Sequence, residues 1–244
     1  GNIDNCISYA QVEITRTGDL KDQINIGTLL GAASGANDDI SVPGKMSNCK
    51  NYGTIWIHDF NQGAGYGTTP YNYYTIVGGL AGEIGGYVVS NCENHGNIVI
   101  ENCDMKTGTL YVGGLVGYNC NRVNSNTSNL MGDINNCRNY GSFLVGQDES
   151  KPVALNNVGL AGICARFQWG GIRYCDNYGE FKVKATHADA FKSGNYSHAN
   201  YSTWEGYLTS STNGLAFFSV GGIATFAQSN MDVGVDFLEL TNHA

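Results

Sequence analysis

Charged residues, proline and long hydrophobic runs are all scarce in this sequence. Only 14% of the 244 residues are charged, and the 13 scattered Lys and Arg form no basic patch, which argues against a nucleic-acid partner. Glycine interrupts each apolar stretch well before the roughly 20 residues that a membrane-spanning helix requires, so we predict no membrane span. Strong helix formers are also few, which argues against an α-helical fold.

Glycine, asparagine and tyrosine are abundant instead. The chain has 34 Gly and 15 Tyr, and only 3 Pro. Glycine and asparagine favour turns, whereas Val, Ile and Tyr favour pleated surfaces. This composition indicates an all-β protein with many tight corners, and the length allows one domain over residues 1–244.

A motif of the form Asn-Cys-x-Asn-x-Gly, followed by alternating apolar residues, recurs along the chain. Clear copies start at Ser47, Ser90, Asn135 and Arg173, and a weaker one starts at Asp4. The repeated cysteines are Cys6, Cys49, Cys92, Cys137 and Cys175. Their spacings of 43, 43, 45 and 38 residues are too regular for chance and indicate a repeat protein.

A second motif, Val-Gly-Gly-Leu-x-Gly, alternates with the first. It occurs at 77–82, 112–117 and, with one glycine missing, 158–162, with fainter copies at 26–31 and 220–224. We place a worn last copy of the first motif at 229–234, with Met231 in the cysteine position. The predicted repeat units lie near 3–14, 26–57, 77–100, 112–145, 158–183 and 220–240.

Together, the two motifs resemble the GLUG-motif repeats of bacterial surface and secreted proteins. The resemblance covers about residues 3–183 and 220–240, and the copies at both ends are degenerate. It implies an adhesin-like or protease-associated surface protein, and it implies no single reaction.

We predict that the units coil into a parallel β-helix of about five to six coils. Equivalent residues then stack about 4.8 Å apart, so the cysteines form a buried ladder of reduced thiols. The asparagines that form a second, amide ladder are Asn51, Asn94, Asn139 and Asn177. The corner glycines, which we expect at positive φ, are Gly53, Gly96, Gly141 and Gly179. A β-propeller, whose blades recur at a similar period, is the alternative.

The cysteines and acids point to no catalytic or metal chemistry. The five histidines have no ligand spacing, so we expect neither a metal nor a cofactor. Three cysteines outside the ladder, Cys103, Cys120 and Cys164, have no assigned role, and we expect Cys137→Ser to destabilise the protein more than Cys103→Ser. The acidic candidates for a catalytic pair are Asp38, Asp39, Asp59, Asp104, Asp133, Asp148, Glu149, Asp176 and Glu180. The position of Asp176 is taken by Lys50, Glu93 and Arg138 in other copies, which is typical of a solvated corner.

Aromatic residues in the insertions are the candidate ligand-binding residues. The longest insertion, 185–216, carries Tyr201, Trp204 and Tyr207 among small polar residues, a mixture found in recognition loops. An earlier insertion, 61–75, contributes Tyr71, Tyr73 and Tyr74. The alternative is that these rings cover an open edge of the fold. The corner aromatics, which we interpret as a structural stack, are Tyr9, Tyr52, His95, Tyr140 and Tyr178.

These observations favour a non-catalytic bacterial surface or secreted module that binds a glycan or a host protein. A β-helix polysaccharide lyase or hydrolase and a structural stalk are the alternatives. The chain opens on Gly1 without Met, so we expect any signal segment to have been removed. The resemblance to GLUG repeats implies an extracellular or cell-surface location.

Overall fold

The computed structural model describes residues 1–17, 23–34, 44–62, 74–120, 132–168, 170–184, 186–187, 217–227 and 236–243. Within these ranges every helix or strand element is a β-strand. The strands are β1 (Asn2–Asp4), β2 (Ile7–Ser8), β3 (Val12–Thr17), β4 (Ile24–Gly27), β5 (Leu30–Ser34), β6 (Gly44–Ser47), β7 (Lys50–Asn51), β8 (Ile55–Gln62), β9 (Tyr74–Gly78), β10 (Ala81–Gly85), β11 (Tyr87–Ser90), β12 (Glu93–Asn94), β13 (Ile98–Gly113), β14 (Val116–Cys120), β15 (Asp133–Asn135), β16 (Arg138–Asn139), β17 (Phe143–Val145), β18 (Val153–Ala161), β19 (Cys164–Phe167), β20 (Gly171–Arg173), β21 (Asp176–Asn177), β22 (Phe181–Val183), β23 (Thr186–His187), β24 (Phe217–Gly221), β25 (Ala224–Ala227), β26 (Asp236–Leu238) and β27 (Thr241–Asn242).

Successive coils of the chain add strands to four sheets, which we name A to D in the order the chain visits them. Sheet A contains β1, β6, β11, β15, β20 and β26, and sheet B contains β2, β7, β12, β16, β21 and β27. Sheet D contains β5, β10, β14, β19 and β25. Sheet C has a first half and a second half. The first half contains β3, β8, the start of β13, β17, the start of β18, β22 and β23, and the second half contains β4, β9, the end of β13, the end of β18 and β24.

The pairing between coils is parallel in all four sheets. The predicted parallel β-helix is therefore confirmed. Sheet A has six strands, and the described strands of the sixth coil lie in sheets A and B. The β-propeller alternative is excluded, because the strands of a propeller blade pair antiparallel within each blade.

The sharp corner between sheets A and B is made by the residue that precedes the cysteine position. This residue has a φ between 48° and 55° in each of the six coils. The six residues are Asn5, Asn48, Asn91, Asn136, Tyr174 and Glu239. Asparagine tolerates this left-handed conformation better than other non-glycine residues, which explains the Asn-Cys pair of the motif.

The corner glycines do not have the positive φ that the sequence predicted, and this expectation is wrong. They are required by close approach instead. A Cβ on Gly96 would lie 1.8 Å from the carbonyl oxygen of Gly53, and one on Gly141 would lie 1.9 Å from that of Gly96. Each coil therefore touches the next through bare backbone at this position.

The asparagines form a continuous ladder of buried amides. The Nδ2 of Asn51 donates to the Oδ1 of Asn94 at 2.8 Å, and the same bond links Asn94 to Asn139 and Asn139 to Asn177. Asn242 extends the ladder at 2.9 Å. Each of the first four amides also donates to the carbonyl oxygen of the glycine two residues later. The ladder thus satisfies the corner backbone of each coil as well as joining the coils.

The two sequence motifs meet inside the protein at this ladder. The second glycine of the Gly-Gly-Leu motif packs against the asparagine of the following coil, since a Cβ on Gly79 would lie 2.7 Å from Cγ of Asn94. Gly114 has the same relation to Asn139, at 2.5 Å. This contact explains why the two motifs recur together.

The cysteine ladder lies beside the amide ladder in one apolar cluster. Cys49, Cys92, Cys137 and Cys175 are completely buried, and Cys6, in the first coil, is half-buried. The four buried thiols each donate to the carbonyl oxygen two residues earlier, at 3.1–3.2 Å. Burial raises the pKa of Cys49 to about 11, so its protonated form, which can donate, predominates at neutral pH.

The structure corrects two motif assignments. Leu160 pairs with Val112 and Cys164 with Val116, so the fourth copy of the glycine motif is 160–165 and not 158–162. Cys164 therefore fills a core position of sheet D.

The last copy of the cysteine motif is also displaced. Asn242 pairs with Asn177, which places Leu240, and not Met231, at the cysteine position. The described part of the copy thus spans 236–243, while residues 229–234 lie outside the described ranges.

Candidate functional site

Coil length varies most at two positions, and less at a third, where residues 146–152 replace the two residues 101–102 of the preceding coil. Residues 18–22, 63–73 and 188–216 join the two halves of sheet C, and residues 35–43 and 121–131 join sheet D to sheet A. The path from sheet A through sheet B to sheet C keeps the same length in the first five coils. Because the repeat is relaxed at these connections, side chains that occur in a single copy are expected at the strand ends beside them.

Both kinds of connection leave from one edge of the β-helix. At the Gly-Gly-Leu motif the chain bends sharply as it passes from the second half of sheet C into sheet D. The start of a strand in the second half of sheet C therefore lies beside the end of a strand in sheet D. Asn25, on β4, donates to the carboxylate of Glu83, near the end of β10, at 3.0 Å. Arg166, near the end of β19, lies over the ring of Tyr74, the first residue of β9, at 5.2 Å. We call this side of the molecule the insertion edge.

The first single-copy group at the insertion edge surrounds Arg166. Its guanidinium is almost completely buried and lies 4.7 Å from the ring centroid of Tyr118, 5.2 Å from that of Tyr74 and 5.6 Å from that of Tyr111. The hydroxyl of Tyr118 donates to Gln168. Burial raises the pKa of Tyr118, so its hydroxyl remains a donor at neutral pH. We name this group the Arg166 cluster.

Glu83 lies two coils from Arg166 at the same strand position. Its carboxylate, which is 4% exposed, accepts hydrogen bonds from Gln23 and Asn25 and, at 3.1 Å, from the thiol of Cys120. This contact gives Cys120, which the sequence left unassigned, a polar partner. Five different residues, Ala32, Glu83, Tyr118, Arg166 and Phe226, occupy this one register position along sheet D.

The second single-copy group lies on the outer face of the first half of sheet C. The rings of Trp56 and His58 stack with centroids 3.9 Å apart. Trp56 donates through Nε1 to Glu101 at 3.3 Å, and Lys151 forms an ion pair with the same carboxylate at 3.1 Å. Lys151 also lies over the Trp56 ring at 5.7 Å. With Glu13, Asp59 and Asn102, described next, these residues form what we name the Trp56 cluster.

His58 is held between two carboxylates. Its Nδ1 lies 2.8 Å from Asp59 Oδ2, and its Nε2 lies 2.7 Å from Glu13 Oε1 on the preceding coil. Burial alone lowers the pKa of His58, but the hydrogen bonds that Asp59 and Glu13 accept from the ring outweigh it and raise the pKa above 6.5. The same contact and a hydrogen bond from Asn102 lower the pKa of Asp59. The cluster therefore carries three carboxylates, of which those of Asp59 and Glu13 contact the His58 ring.

The other acidic candidates from the sequence are dispersed, and most have a basic partner. Asp133 pairs with Arg173 at 3.1 Å, and Asp148 and Glu149 lie 3.9 Å and 3.8 Å from two different lysines. Glu180 pairs with Lys182 at 2.7 Å. Asp104 lies on β13, and Asp38 and Asp39 are outside the described residues.

The variability at the position of Asp176 indicated a solvated corner, and the structure adds that this residue has a charged partner. It pairs with Arg138 on the preceding coil at 3.3 Å, and Lys50 pairs with Glu93 at 2.9 Å. The four copies thus alternate in charge along sheet B, so the variation follows the charge of the neighbouring copy.

Of the predicted ligand-binding residues, only one lies in the described part of the chain. Tyr71, Tyr73, Tyr201, Trp204 and Tyr207 lie outside it. Tyr74 is half-buried in the Arg166 cluster, where its ring packs on Tyr111 at 5.6 Å and on Arg166.

Sequence reasoning overlooked Arg166, Trp56 and His58. A signal was nevertheless present, since each of these residues stands where the other copies carry a different kind of side chain. At the register position of Trp56 the neighbouring coils have Glu13 and Val99.

Comparisons with known proteins give no match: no family model, no curated protein and no solved structure matches this chain. In the part of the chain that the structure describes, no three or more His, Cys, Asp or Glu side chains are grouped so as to hold a metal ion. No helix among the described residues is long and apolar enough to cross a membrane.

Proposed function

We propose that the chain is a non-catalytic, adhesin-like module of a bacterial surface or secreted protein, and that it binds a glycan through the Trp56 cluster and the insertion edge. The observation that carries this proposal is the distribution of single-copy side chains. Aromatic and charged residues that occur once are concentrated in the Trp56 and Arg166 clusters, on strands that flank the variable connections. The resemblance of the motifs to GLUG repeats supports the same assignment.

The chemistry of the Trp56 cluster favours a neutral or amino-containing glycan. Carboxylates such as Glu13 and Glu101 accept hydrogen bonds from sugar hydroxyls, and the Lys151 ammonium donates to ring and hydroxyl oxygens. The half-exposed Trp56 ring offers an apolar surface to the C–H face of a sugar. Three carboxylates against His58 and Lys151, in a chain with a net charge of −8, disfavour an acidic polysaccharide.

A β-helix glycoside hydrolase is the second candidate, and the three carboxylates of the Trp56 cluster are the observation that favours it. A hydrolase needs one protonated acid and one carboxylate that is available to the sugar or to water. Here Asp59 is bound by His58 and Asn102, and its pKa is lowered. Glu101 is bound by Trp56 and Lys151. Because the contacts of Asp59 favour its ionised form and the carboxylate of Glu101 already has two partners, the cluster suits binding better than acid catalysis.

The proposal is tested by screening neutral and amino glycans on an array and then titrating the best soluble oligosaccharide by calorimetry. Trp56→Ala is expected to weaken binding by at least about tenfold, which corresponds to about 1.4 kcal/mol. Trp204→Ala, in the same titration, tests the sequence-based prediction for residues 185–216.

Tyr140→Ala is the matched control, because this ring is exposed at the sheet B corner and far from the insertions in the coil. We expect its affinity to match that of the unmodified protein. Equal losses for Trp56→Ala and Tyr140→Ala, or no binding to any neutral or amino glycan, would contradict the proposal. Release of reducing ends from the bound oligosaccharide would instead support the hydrolase.

A further inference from the structure

The outer face of sheet B carries two parallel ladders of side chains that no insertion interrupts. We name it the corner face. In the first five coils the chain runs from sheet A through sheet B to sheet C without a change in length. The charged ladder consists of Lys50, Glu93, Arg138 and Asp176. The aromatic ladder consists of Tyr9, Tyr52, His95, Tyr140, Tyr178 and His243.

The aromatic ladder is a continuous stack that remains open to solvent. Consecutive ring centroids are 4.2–5.3 Å apart, and the interplanar angles are 4–14°. The exposed fraction is 74% for Tyr9, 42% for Tyr52 and 39% for both Tyr140 and Tyr178. Because the ring faces cover each other, the solvent meets ring edges along a ridge about 24 Å long, at about 4.8 Å for each coil.

The charged ladder beside this ridge alternates in sign from coil to coil. Lys50 pairs with Glu93 at 2.9 Å, and Arg138 pairs with Asp176 at 3.3 Å. The four side chains retain between 22% and 39% exposure, so each keeps part of its charge accessible to a partner. Read along the helix axis, the order is positive, negative, positive, negative.

An alternating ladder with an even number of charges is complementary to its own reverse. When two copies face each other with their helix axes antiparallel, Lys50 meets Asp176 of the other copy and Glu93 meets its Arg138. When the two-fold axis lies in the plane of the interface and is perpendicular to the helix axes, the two charged ladders face each other and the two aromatic ladders face each other. The aromatic ridges then meet as well, with Tyr52 opposite Tyr178 and His95 opposite Tyr140.

We propose that the corner face is a self-association surface on which a second copy of this chain docks antiparallel. Burial of the exposed ring edges supplies the apolar contact, and the charges fix the direction. In a parallel arrangement about an axis along the helix, the charged ladders can meet only with equal charges opposite each other at every coil, which is unfavourable. This inference rests on the corner face alone and does not depend on glycan binding at the insertion edge.

The first test is the mass of the protein by sedimentation equilibrium across a range of concentrations. We expect a concentration-dependent rise from the monomer mass towards twice that mass. In 1 M NaCl, where the screening length is about 3 Å, the dissociation constant is expected to rise at least about threefold. Tyr52→Ser with Tyr140→Ser is expected to shift the equilibrium to monomer, while circular dichroism confirms that the β-helix is retained.

The second test inverts the charged ladder with Lys50→Glu, Glu93→Lys, Arg138→Glu and Asp176→Lys. The inverted chain keeps the alternation within itself and the complementarity to its own reverse, so it is expected to fold and to form dimers. A mixed antiparallel pair of inverted and unmodified chains places equal charges opposite each other. We therefore expect two separate homodimers and a loss of the mixed species, detected with a fluorescent label on one chain.

Three results would overturn the proposal. A monomer at all concentrations shows that the corner face serves another partner or none. Mixed dimers that form more readily than homodimers show a parallel arrangement. Dimers that persist unchanged in the Tyr52→Ser, Tyr140→Ser variant show that the chain associates through a different surface.

Discussion

The sheet B corner and the insertion edge are built from the same repeat, yet they tolerate change very differently. At the corner, each asparagine, glycine and ring contacts its own counterparts in the coils above and below, so a change in one copy disturbs two others. At the insertion edge, one register position accepts Ala32, Glu83, Tyr118, Arg166 and Phe226 in turn. Identity between copies therefore marks stacking contacts, and difference between copies marks the places that are available for specific interactions.

The largest expected effect of a single substitution is at a corner glycine. In Gly141→Ala the new Cβ would lie 1.9 Å from the carbonyl oxygen of Gly96, an atom of a stacked backbone that cannot rotate away. We expect a loss of more than about 4 kcal/mol in the free energy of unfolding, measured by urea denaturation. Gly1→Ala is the control, because its Cβ has no neighbour within 4 Å. Equal stability of the two variants would show that the coils do not approach as closely as described.

The next largest effect is expected from breaking the amide ladder. Asn139→Ala removes hydrogen bonds to Gly141 and Asn177 and the one accepted from Asn94. At about 1 kcal/mol for each bond, the expected loss is about 3 kcal/mol. Asn97→Ala, on the exposed side of the same corner, removes one bond to Ser142 and is expected to cost at most about 1 kcal/mol. If the two losses measured by urea denaturation are equal, the ladder does not stabilise the stack.

A smaller effect is expected from the thiols, and here the structure changes the sequence-based expectation. Cys103 is buried like Cys137, follows a left-handed residue, Asn102, and donates to the carbonyl oxygen two residues earlier at 3.1 Å. Both serine variants are therefore expected to lose about 1–2 kcal/mol, in place of a larger loss for Cys137→Ser alone. A much larger loss for Cys137→Ser would restore the original distinction.

The oxidation state of the ladder is a separate prediction. Counting thiols in denaturant without reductant is expected to find at least the five groups of the ladder. Finding none would show that the stacked cysteines are oxidised in pairs.

The smallest effect concerns the Trp56 cluster, where the titrating partners are exposed. The raised pKa of His58 contributes stability that is complete below pH 6.5 and disappears as the pH rises through the folded-state pKa. The lowered pKa of Asp59 contributes stability above pH 3.8 that is lost as the pH falls through its folded-state pKa. The difference in melting temperature between the unmodified protein and His58→Gln is thus expected to be largest between pH 3.8 and 6.5. A difference that does not change up to pH 9 would exclude this ion pair as its cause.

Much of the fold was predictable because stacked residues repeat their identity along the chain. The cysteine and asparagine columns gave the period, and the parallel stacking explains why a single residue type satisfies each column. The reason for the corner glycines was not predictable in the same way. A close approach between coils and a positive φ both require glycine, and a sequence does not distinguish them.

The functional site was less predictable for a physical reason. Arg166 and Glu83 lie 83 residues apart in the chain and meet through Tyr118, which requires the register of sheet D to be known. The register was misassigned in the fourth coil, because Gly159 was taken for a motif glycine and Ala161 actually occupies that position. The binding residues of the insertions stay a prediction, except that Tyr74 has its place beside Arg166.

The amide ladder has a direction. From Asn51 to Asn177, every Nδ2 donates towards the coil that follows, so the side-chain dipoles point the same way along the axis. Aligned amides polarise one another, which makes an inner link worth more than a terminal one. The two ends of the stack therefore differ. Each coil presents an amide N–H donor towards the coil that follows and an amide oxygen acceptor towards the coil that precedes it. A coil added at the C-terminal end must bring an acceptor, and the asparagine at residue 242 meets that requirement even where the neighbouring cysteine has become leucine.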